Sequence, residues 1–175
     1  MTLVERWPGA TVHGFDSSAE MIEEARAKTT GASYAIGDIR EFEPGDDVDV
    51  IVTNAVLQWV PGHEELLARW VEPGRWIAMQ VPANYDEPAH VILNEQIASP
   101  AWRERLAGLN ARVRPVGGAI DYARLFREAG CDHVDTWETK YIHQLPVVEG
   151  GRHPVLEWLS GTGMRPVRDA LSDRD

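Results

Sequence analysis

The sequence predicts an α/β fold, in which a parallel sheet is covered by helices. Short apolar runs of strand length alternate with segments of helical periodicity in the first half of the chain. The run at 48–53 is almost continuously apolar, as expected for a strand covered on both faces. Three such runs lead into polar residues, namely Asp16, Asp38 and Asn54. Because ligands of open α/β sheets bind beyond the carboxyl ends of the strands, these residues are the first site candidates.

Composition limits the classes of function. The 175 residues are enough for one domain, 1–175, with its own core. A net charge of −11 argues against a nucleic-acid partner, since such binding uses clustered Lys and Arg. The single cysteine, Cys131, cannot form an internal disulfide, and no apolar run approaches the roughly 20 residues of a membrane span. We therefore expect a cytoplasmic enzyme or binding domain with no nucleic-acid or membrane partner, and the sequence does not indicate whether it is a monomer or a dimer.

Periodicity and turn residues divide the chain into elements. In order, these are the last turn of a helix at 3–7, strands at 10–15, 33–36, 48–53 and 76–81 with helices at 19–28 and 64–71 between them, a helical segment at 86–110, a helix at 119–129, a long strand at 134–145, and tail helices at 154–159 and 164–171.

Caps and stops justify the elements of the first half. Pro8 and Gly9 end the opening helix, because neither continues a helix well. Ser17 or Ser18 supplies the N-cap of the next helix, which Gly31 closes before the second strand. A polar turn then leads into the third strand.

Similar signals organise the second half. A Pro-Gly pair precedes the helix at 64–71, whose Leu66, Leu67 and Trp70 recur at the spacing of one buried face. Another Pro-Gly pair turns the chain into the fourth strand. Residues 86–118 are too many for a simple crossover, and an insertion after a strand is a natural lid. We expect a helical lid within the single domain.

Three segments carry a family resemblance when they are taken together. They are FDSSAEM at 15–21, GDI at 37–39 and TNAVLQWV at 53–60. In this order they resemble the class I S-adenosylmethionine-dependent methyltransferases. Within that class, the segments at 80–90, 137–145 and 153–162 are similar to the trans-aconitate 2-methyltransferase family.

The resemblance implies both a fold and a function. The fold is a Rossmann-like sheet with flanking helices and a helical lid. The cofactor is S-adenosyl-L-methionine, and the reaction transfers its methyl group to a carboxylate of a small acid such as trans-aconitate, giving a methyl ester. An ionised carboxylate needs no general base, so no catalytic acid or base is expected.

The resemblance also assigns residues to the cofactor. They are Asp16, Ser17, Met21, Asp38, Ile39, Asn54 and Ala55. Asp16 would accept hydrogen bonds from the ribose, Asp38 would accept one from the adenine amino group, and Asn54 would face the methionine part. From the residues alone, Asp16 also fits an N-cap, Asp38 a turn former and Met21 a core residue.

Other residues are assigned to the methyl acceptor. They are Gln58, Trp59, Asn84, Tyr85 and His143. Trp59 fits core packing equally well. Carboxylates favour Arg partners, and the Arg candidates are Arg103, Arg105, Arg112, Arg114 and Arg152, with Trp102 and Tyr122 as further neutral partners. No histidine has metal-ligand spacing with a partner, so no metal is expected.

The resemblance further implies elements with no counterpart in the sequence. These are the central strand with its glycine-rich loop, before the opening helix, and a last strand, after the tail. Without these strands, backbone groups at the strand edges would be unpaired. Each such group that is buried costs about 1–3 kcal/mol. We therefore expect a fragment that by itself binds the cofactor weakly or not at all, and is inactive.

Two other functions stay open on the sequence. A dinucleotide-dependent Rossmann oxidoreductase would share an acidic residue after its second strand, but it accounts less well for Asp38 and for residues 54–59. A non-catalytic fragment or interaction module would pair its exposed sheet with another chain by strand addition or domain swapping.

Overall fold

The structure, a computed structural model, describes residues 2–28, 31–109, 115–147, 150–161 and 163–172. The strands in these ranges are β1 (Val12–Asp16), β2 (Ala32–Ile36), β3 (Val50–Asn54) and β4 (Trp76–Gln80). The helices are α1 (Leu3–Arg6), α2 (Ala19–Lys28), α3 (His63–Trp70), α4 (Pro88–Ala98), α5 (Ala119–Glu128), α6 (Pro154–Ser160) and α7 (Arg165–Ser172). Short 3₁₀ turns lie at Ile39–Glu41 and Leu57–Trp59.

Two parallel strand pairs form the sheet layer, and the α/β class is confirmed. In the first pair, β1 and β2 are in a register that sets Asp16 opposite Ile36. In the second, β3 and β4 set Asn54 opposite Gln80. Among the described residues, no strand bridges the two pairs. Each pair therefore brings its two carboxyl ends to one edge.

Local signals placed the helices well. Of the two predicted N-caps of α2, Ser18 is the one whose hydroxyl accepts a hydrogen bond from a first-turn amide, that of Met21, at 3.3 Å. Gly130 follows α5 at φ +105°, a left-handed conformation in which glycine is unstrained. The predicted inner face of α3 is confirmed, because Leu66, Leu67 and Trp70 are buried.

The main core lies between the second strand pair and helices α3 and α5. It contains Ile51, Leu57, Leu67, Trp70 and Phe126, among others. An aromatic series extends it toward β1: the Phe15 and Phe42 ring centroids are 4.8 Å apart, and those of Phe42 and Trp70 are 5.7 Å apart. The two strand pairs are therefore joined through side chains.

The prediction that the third strand is covered on both faces is wrong for the described residues. Burial alternates along β3: Ile51 and Thr53 are buried, whereas Val50 and Val52 are 56% and 54% exposed. An apolar run is buried on both faces only where layers pack on both sides. Here the core cluster lies on the face of Ile51 alone.

The predicted long strand at 134–145 is also wrong, since the structure assigns no strand to these residues. Tyr141 and Ile142 are 75% and 85% exposed. A strand is maintained by a hydrogen-bonded neighbour, and in the described part of the chain no strand pairs with this segment. A strand-like composition alone does not supply the hydrogen-bonded neighbour that a strand needs.

The lid segment is less helical than its pattern predicted. Among the described residues of the segment, regular helix covers only α4. Residues 99–109 form successive turns after Ser99, whose carbonyl accepts from the amides of Trp102 and Arg103 at 3.0 and 2.9 Å. Pro100 explains the break, because proline favours extended backbone at the residue before it. No helix in the described ranges has the length and apolar character needed to cross a lipid bilayer.

Candidate active site

Asp16 sits where the sequence predicts, at the carboxyl end of β1. Its carbonyl accepts a hydrogen bond from the Gly37 amide at 3.0 Å, which holds together the ends of the first strand pair. Its Oδ1 accepts from the Ser18 amide at 2.8 Å, so Asp16 also shapes the turn into α2. A carboxylate has about four acceptor positions, and this half-buried group keeps capacity for a ligand.

Asp38 has a structural role in the 3₁₀ turn that follows β2. Its Oδ1 accepts from the Arg40 amide at 2.9 Å, and its carboxylate is paired with the Arg40 guanidinium. Hydrogen bonds from Arg40, first from the side chain and then from the backbone, lower the pKa of Asp38 to about 2. The turn-former interpretation therefore holds, and the hydrogen bond to adenine remains a prediction.

Two further cofactor candidates, Ser17 before α2 and Met21 in its first turn, are exposed rather than buried in the core. The Met21 side chain is 52% exposed, so the interpretation of Met21 as a core residue is wrong. Ser17 is exposed as well. Both remain compatible with contact to a ligand above the strand ends.

Ile39 connects the first strand pair to the second. It is half-buried and packs against the core cluster that includes Leu57, a residue of the turn after β3. The loops that follow β2 and β3 therefore share one hydrophobic cluster.

Asn54 and Ala55 form the end of β3. Asn54 is exposed as the last strand residue. Ala55 has φ +54°, the only left-handed non-glycine residue in the described chain, and its amide donates to the Gln80 carbonyl at 3.0 Å. Residues held in such sparsely populated conformations cluster at functional sites.

Gln58 carries an unused acceptor. Its Nε2 donates to the Ala55 carbonyl at 2.7 Å, which supports the strained turn. Its Oε1 is buried and has no hydrogen-bond partner among the described residues. Leaving such an acceptor unpaired costs about 1–3 kcal/mol. A ligand donor at this point would recover that free energy.

Trp59 lies at the surface of the turn that follows β3. It is 59% exposed, so the core interpretation of this residue is wrong. It belongs to the same 3₁₀ turn as Gln58, directly after the strand end.

The remaining candidates for contact with the methyl acceptor lie in two places. The Asn84 carbonyl accepts from the Glu87 amide at 3.1 Å, at the start of the lid helix. The Tyr85 ring centroid lies 5.6 Å from that of His90 in α4, and both residues line a cleft. His143 is exposed, its ring lies 6.3 Å from that of Trp158 in α6, and it does not line this cleft.

The arginine candidates that lie within the described residues are exposed. Arg103, Arg105 and Arg152 lie at the surface, and the Arg105 guanidinium is 5.7 Å from the Trp102 ring centroid. Arg112 and Arg114 lie outside the described residues. The described residues contain no cluster of three or more His, Cys, Asp or Glu that could hold a metal ion.

A buried polar pair behind the site was missed from the sequence. His63 is 1% exposed, and its Nε2 lies 2.8 Å from the hydroxyl of Tyr122, which is 7% exposed. Burial raises the pKa of Tyr122 to about 12. Tyr122 is therefore a core residue rather than a contact for the acceptor. A signal existed, because His63 continues the buried stripe of Leu66 and Trp70 at helical spacing.

Comparison with known proteins identifies a matching family and similar relatives. Residues 1–74 match the methyltransferase domain family. The trans-aconitate 2-methyltransferase of Mycolicibacterium gilvum (strain PYR-GCK) is 46% identical over 181 residues, covering 99% of this chain and 67% of the relative. That of Rhodococcus jostii (strain RHA1) is 46% identical over 176 residues, covering 98% and 66% respectively. The chain thus spans about two thirds of the length of these curated relatives.

One solved structure is also similar. It is the plantazolicin methyltransferase BpumL in complex with a pentazolic desmethylPZN analog and SAH. The TM-score is 0.47 at 17% sequence identity, over 99% of this chain and 65% of that one.

Proposed function

This chain belongs to the trans-aconitate 2-methyltransferase family, and on that premise we propose that it transfers a methyl group from S-adenosyl-L-methionine to a carboxylate of a small acid such as trans-aconitate, forming a methyl ester. The observation that carries the proposal is a set of hydrogen-bond acceptors beyond the carboxyl ends of the strands, on Asp16, Asp38 and Gln58. The dinucleotide oxidoreductase is not favoured, because the matched family and relatives are methyltransferases.

The residues fit the cofactor by their chemistry. S-adenosylmethionine carries hydroxyl and ammonium donors, and the Asp16 carboxylate at the end of β1 keeps acceptor positions beyond its bond to the Ser18 amide. Asp16 would bind the ribose with its remaining acceptor positions. Exposed Met21 would cover the adenine from α2. Ser17, Ile39, Asn54 and Ala55 complete the proposed cofactor surface.

The cofactor, when bound, supplies a methyl group on a positively charged sulfur. The chain's own residues would hold the acceptor oxygen in line with that methyl and exclude water. A carboxylate is already ionised at neutral pH, so no residue has to remove a proton from it. Positioning of this kind is worth about 7–11 kcal/mol in well-aligned intramolecular cases. Gln58, Trp59, Asn84, Tyr85 and His143 are the proposed acceptor contacts.

We also propose that residues 86–118 act as a lid within the single domain. Leu106 and Val116, in the second half of this segment, are buried at 5% and 3% exposure. Near its start, Glu87 pairs with Lys140 at 2.6 Å. These contacts support a segment that stays with the domain.

The proposal is tested by calorimetric titration with S-adenosylhomocysteine, the demethylated cofactor. Two proteins are compared: this chain, and a chimera that adds the parts of the Mycolicibacterium gilvum relative lying outside the matched region. We expect the chimera to bind S-adenosylhomocysteine with a Kd of about 1 μM. We expect this chain alone to bind it more weakly and to be inactive.

Asp16 provides the matched variants. Asp16→Ala in the chimera should weaken binding by about 10–100-fold, since a hydrogen bond to a charged group is worth about 1.5–3 kcal/mol. Asp49→Ala is the control, because this exposed Asp precedes β3 at the opposite end of the strand. A folded chimera that does not bind the ligand, or that binds equally well without Asp16, would contradict the proposal.

A further inference from the structure

A cleft of about 260 Å³ lies between the lid helix α4 and the junction of α6 and α7. Its lining includes the polar residues Tyr85, His90 and Asn94 and apolar residues such as Ile97 and Val167. Pockets for drug-sized ligands measure about 300–1,000 Å³, so this volume suits a smaller molecule. The cleft is thus the size of a small metabolite site.

The charge of the lining is unlike that of the chain as a whole. The sequence has 28 acidic residues against 17 Lys and Arg, yet among the described residues that line the cleft there is no Asp or Glu. Its polar groups are the Tyr85 hydroxyl, the His90 imidazole and the Asn94 amide, each of which can donate a hydrogen bond. A wall of donors free of carboxylates suits an anionic ligand.

We propose that this cleft holds one carboxyl group and the carbon skeleton of the methyl acceptor. The inference rests on the proposed function for the identity of the ligand, a small carboxylic acid. The carboxyl group lies against Tyr85, His90 and Asn94, and the skeleton lies against the apolar residues of α4 and α7.

Gly163 keeps the cleft open beside His90. A Cβ at this position would lie 3.1 Å from His90 Cε1, which is closer than ordinary van der Waals contact. The methyl group introduced by Gly163→Ala should therefore displace the His90 imidazole. Gly161 lies two residues earlier, at the end of α6, and a Cβ there meets nothing within 4 Å. The two substitutions are chemically identical and differ only in what the new methyl group touches.

The experiment observes His90 directly by NMR. The chain is labelled with ¹³C and ¹⁵N in its histidines, His90 is assigned with His90→Gln, and trans-aconitate is titrated at constant ionic strength. We expect a saturable shift of the His90 ring signals. Gly163→Ala and Asn94→Ala should raise the Kd by about tenfold or more, while Gly161→Ala and Gln96→Ala, at an exposed position of α4, should leave it unchanged.

The outcomes separate this inference from the proposed function. The absence of a saturable His90 shift, or equal weakening by Gly163→Ala and Gly161→Ala, overturns the cleft assignment. If the chimera binds S-adenosylhomocysteine but trans-aconitate does not move His90, the cleft alone is contradicted. If His90 shifts as expected but the cofactor does not bind, the cleft stands and the methyltransferase proposal fails.

Discussion

The Nε2 atom of His63 lies 2.8 Å from the hydroxyl of Tyr122, and this buried contact joins α3 to α5. The other ring nitrogen, Nδ1, is 3.1 Å from the Val60 carbonyl. A carbonyl can only accept, so Nδ1 donates to it, and in the neutral ring Nε2 then accepts from the Tyr122 hydroxyl. The pair thereby fixes the chain directly after Gln58 and Trp59, two of the proposed acceptor contacts.

Tyr122→Phe should destabilise the protein. It removes the hydroxyl and leaves a buried imidazole nitrogen unpaired, which costs about 1–3 kcal/mol in the free energy of unfolding. Urea denaturation measures the change. Tyr141→Phe is the control, because Tyr141 is 75% exposed and its change should stay within about 0.5 kcal/mol. Equal effects of the two substitutions would show that the buried contact is not stabilising.

Alkaline pH should weaken the fold through the same tyrosine. Tyr122 has a pKa of about 12 in the folded protein, against about 10 for a tyrosine in an unfolded chain. The folded state therefore holds this proton more tightly, and the free energy of unfolding falls as the pH rises from about 10 to about 12. Tyrosinate absorbance should show a late titration step near pH 12, since the pKa of Tyr122 is about 12. That late step should disappear in Tyr122→Phe, and its persistence there would assign it to another tyrosine.

Asp38 should titrate at unusually low pH. Its pKa of about 2 in the folded protein lies below the value of about 3.9 for an unfolded chain. Its contribution to stability is therefore present above about pH 4 and lost as the pH falls toward 2. Arg40→Ala should return the pKa toward its ordinary value, as followed by NMR of the carboxyl carbon, whereas Arg69→Ala should not. A wild-type Asp38 that titrates near 4 would contradict the ion pair.

Ala55→Gly should stabilise the protein slightly. A left-handed conformation costs an L-residue roughly 1–2 kcal/mol, and glycine relieves it while adding about 0.4–1 kcal/mol of unfolded-state entropy. The expected gain is thus about 0.5 kcal/mol by thermal or urea unfolding. Ala35→Gly, at an exposed position of β2, should instead lose about 0.5–1 kcal/mol. Changes of the same sign at both positions would exclude strain at Ala55.

Arg75 should be far more important for stability than other arginines. Its side chain is 5% exposed, and it donates to the carbonyls of Val48, Trp70 and Gly45 at 3.0, 3.2 and 2.9 Å. Arg75→Met should cost about 1–3 kcal/mol, because the partly buried carbonyls of Val48 and Trp70 lose a charged donor. Arg69→Met, at a 54% exposed side chain, should change stability by less than about 0.5 kcal/mol. If Arg75→Met lost no more stability than Arg69→Met, these hydrogen bonds would contribute little.

The sequence predicted what is decided locally. Caps and turn residues located most helices, and the polar residues after two of the apolar runs, Asp16 and Asn54, are the last residues of β1 and β3. The buried stripe of Leu66, Leu67 and Trp70 followed from helical spacing alone. These features depend on neighbours within a few residues, which a single sequence records.

Features that depend on distant partners were not predictable in this way. His63 and Tyr122 are 59 residues apart, and nothing local indicates that they meet. The segment at 134–145 has a strand-like composition, but a strand also requires a neighbour. For Met21 and Trp59, burial depends on which helices and strands pack nearby, so the sequence left two interpretations, of which their exposure excludes the core one.

The most direct test of the account is mass spectrometry of the reaction product. The chimera is incubated with S-adenosylmethionine carrying a deuterated methyl group and with trans-aconitate. We expect a trans-aconitate monomethyl ester that carries the label, and its amount should fall in Asp16→Ala but not in Asp49→Ala. A folded chimera that binds the cofactor yet transfers no label to trans-aconitate, under conditions in which the Mycolicibacterium gilvum relative does, would contradict the proposed activity.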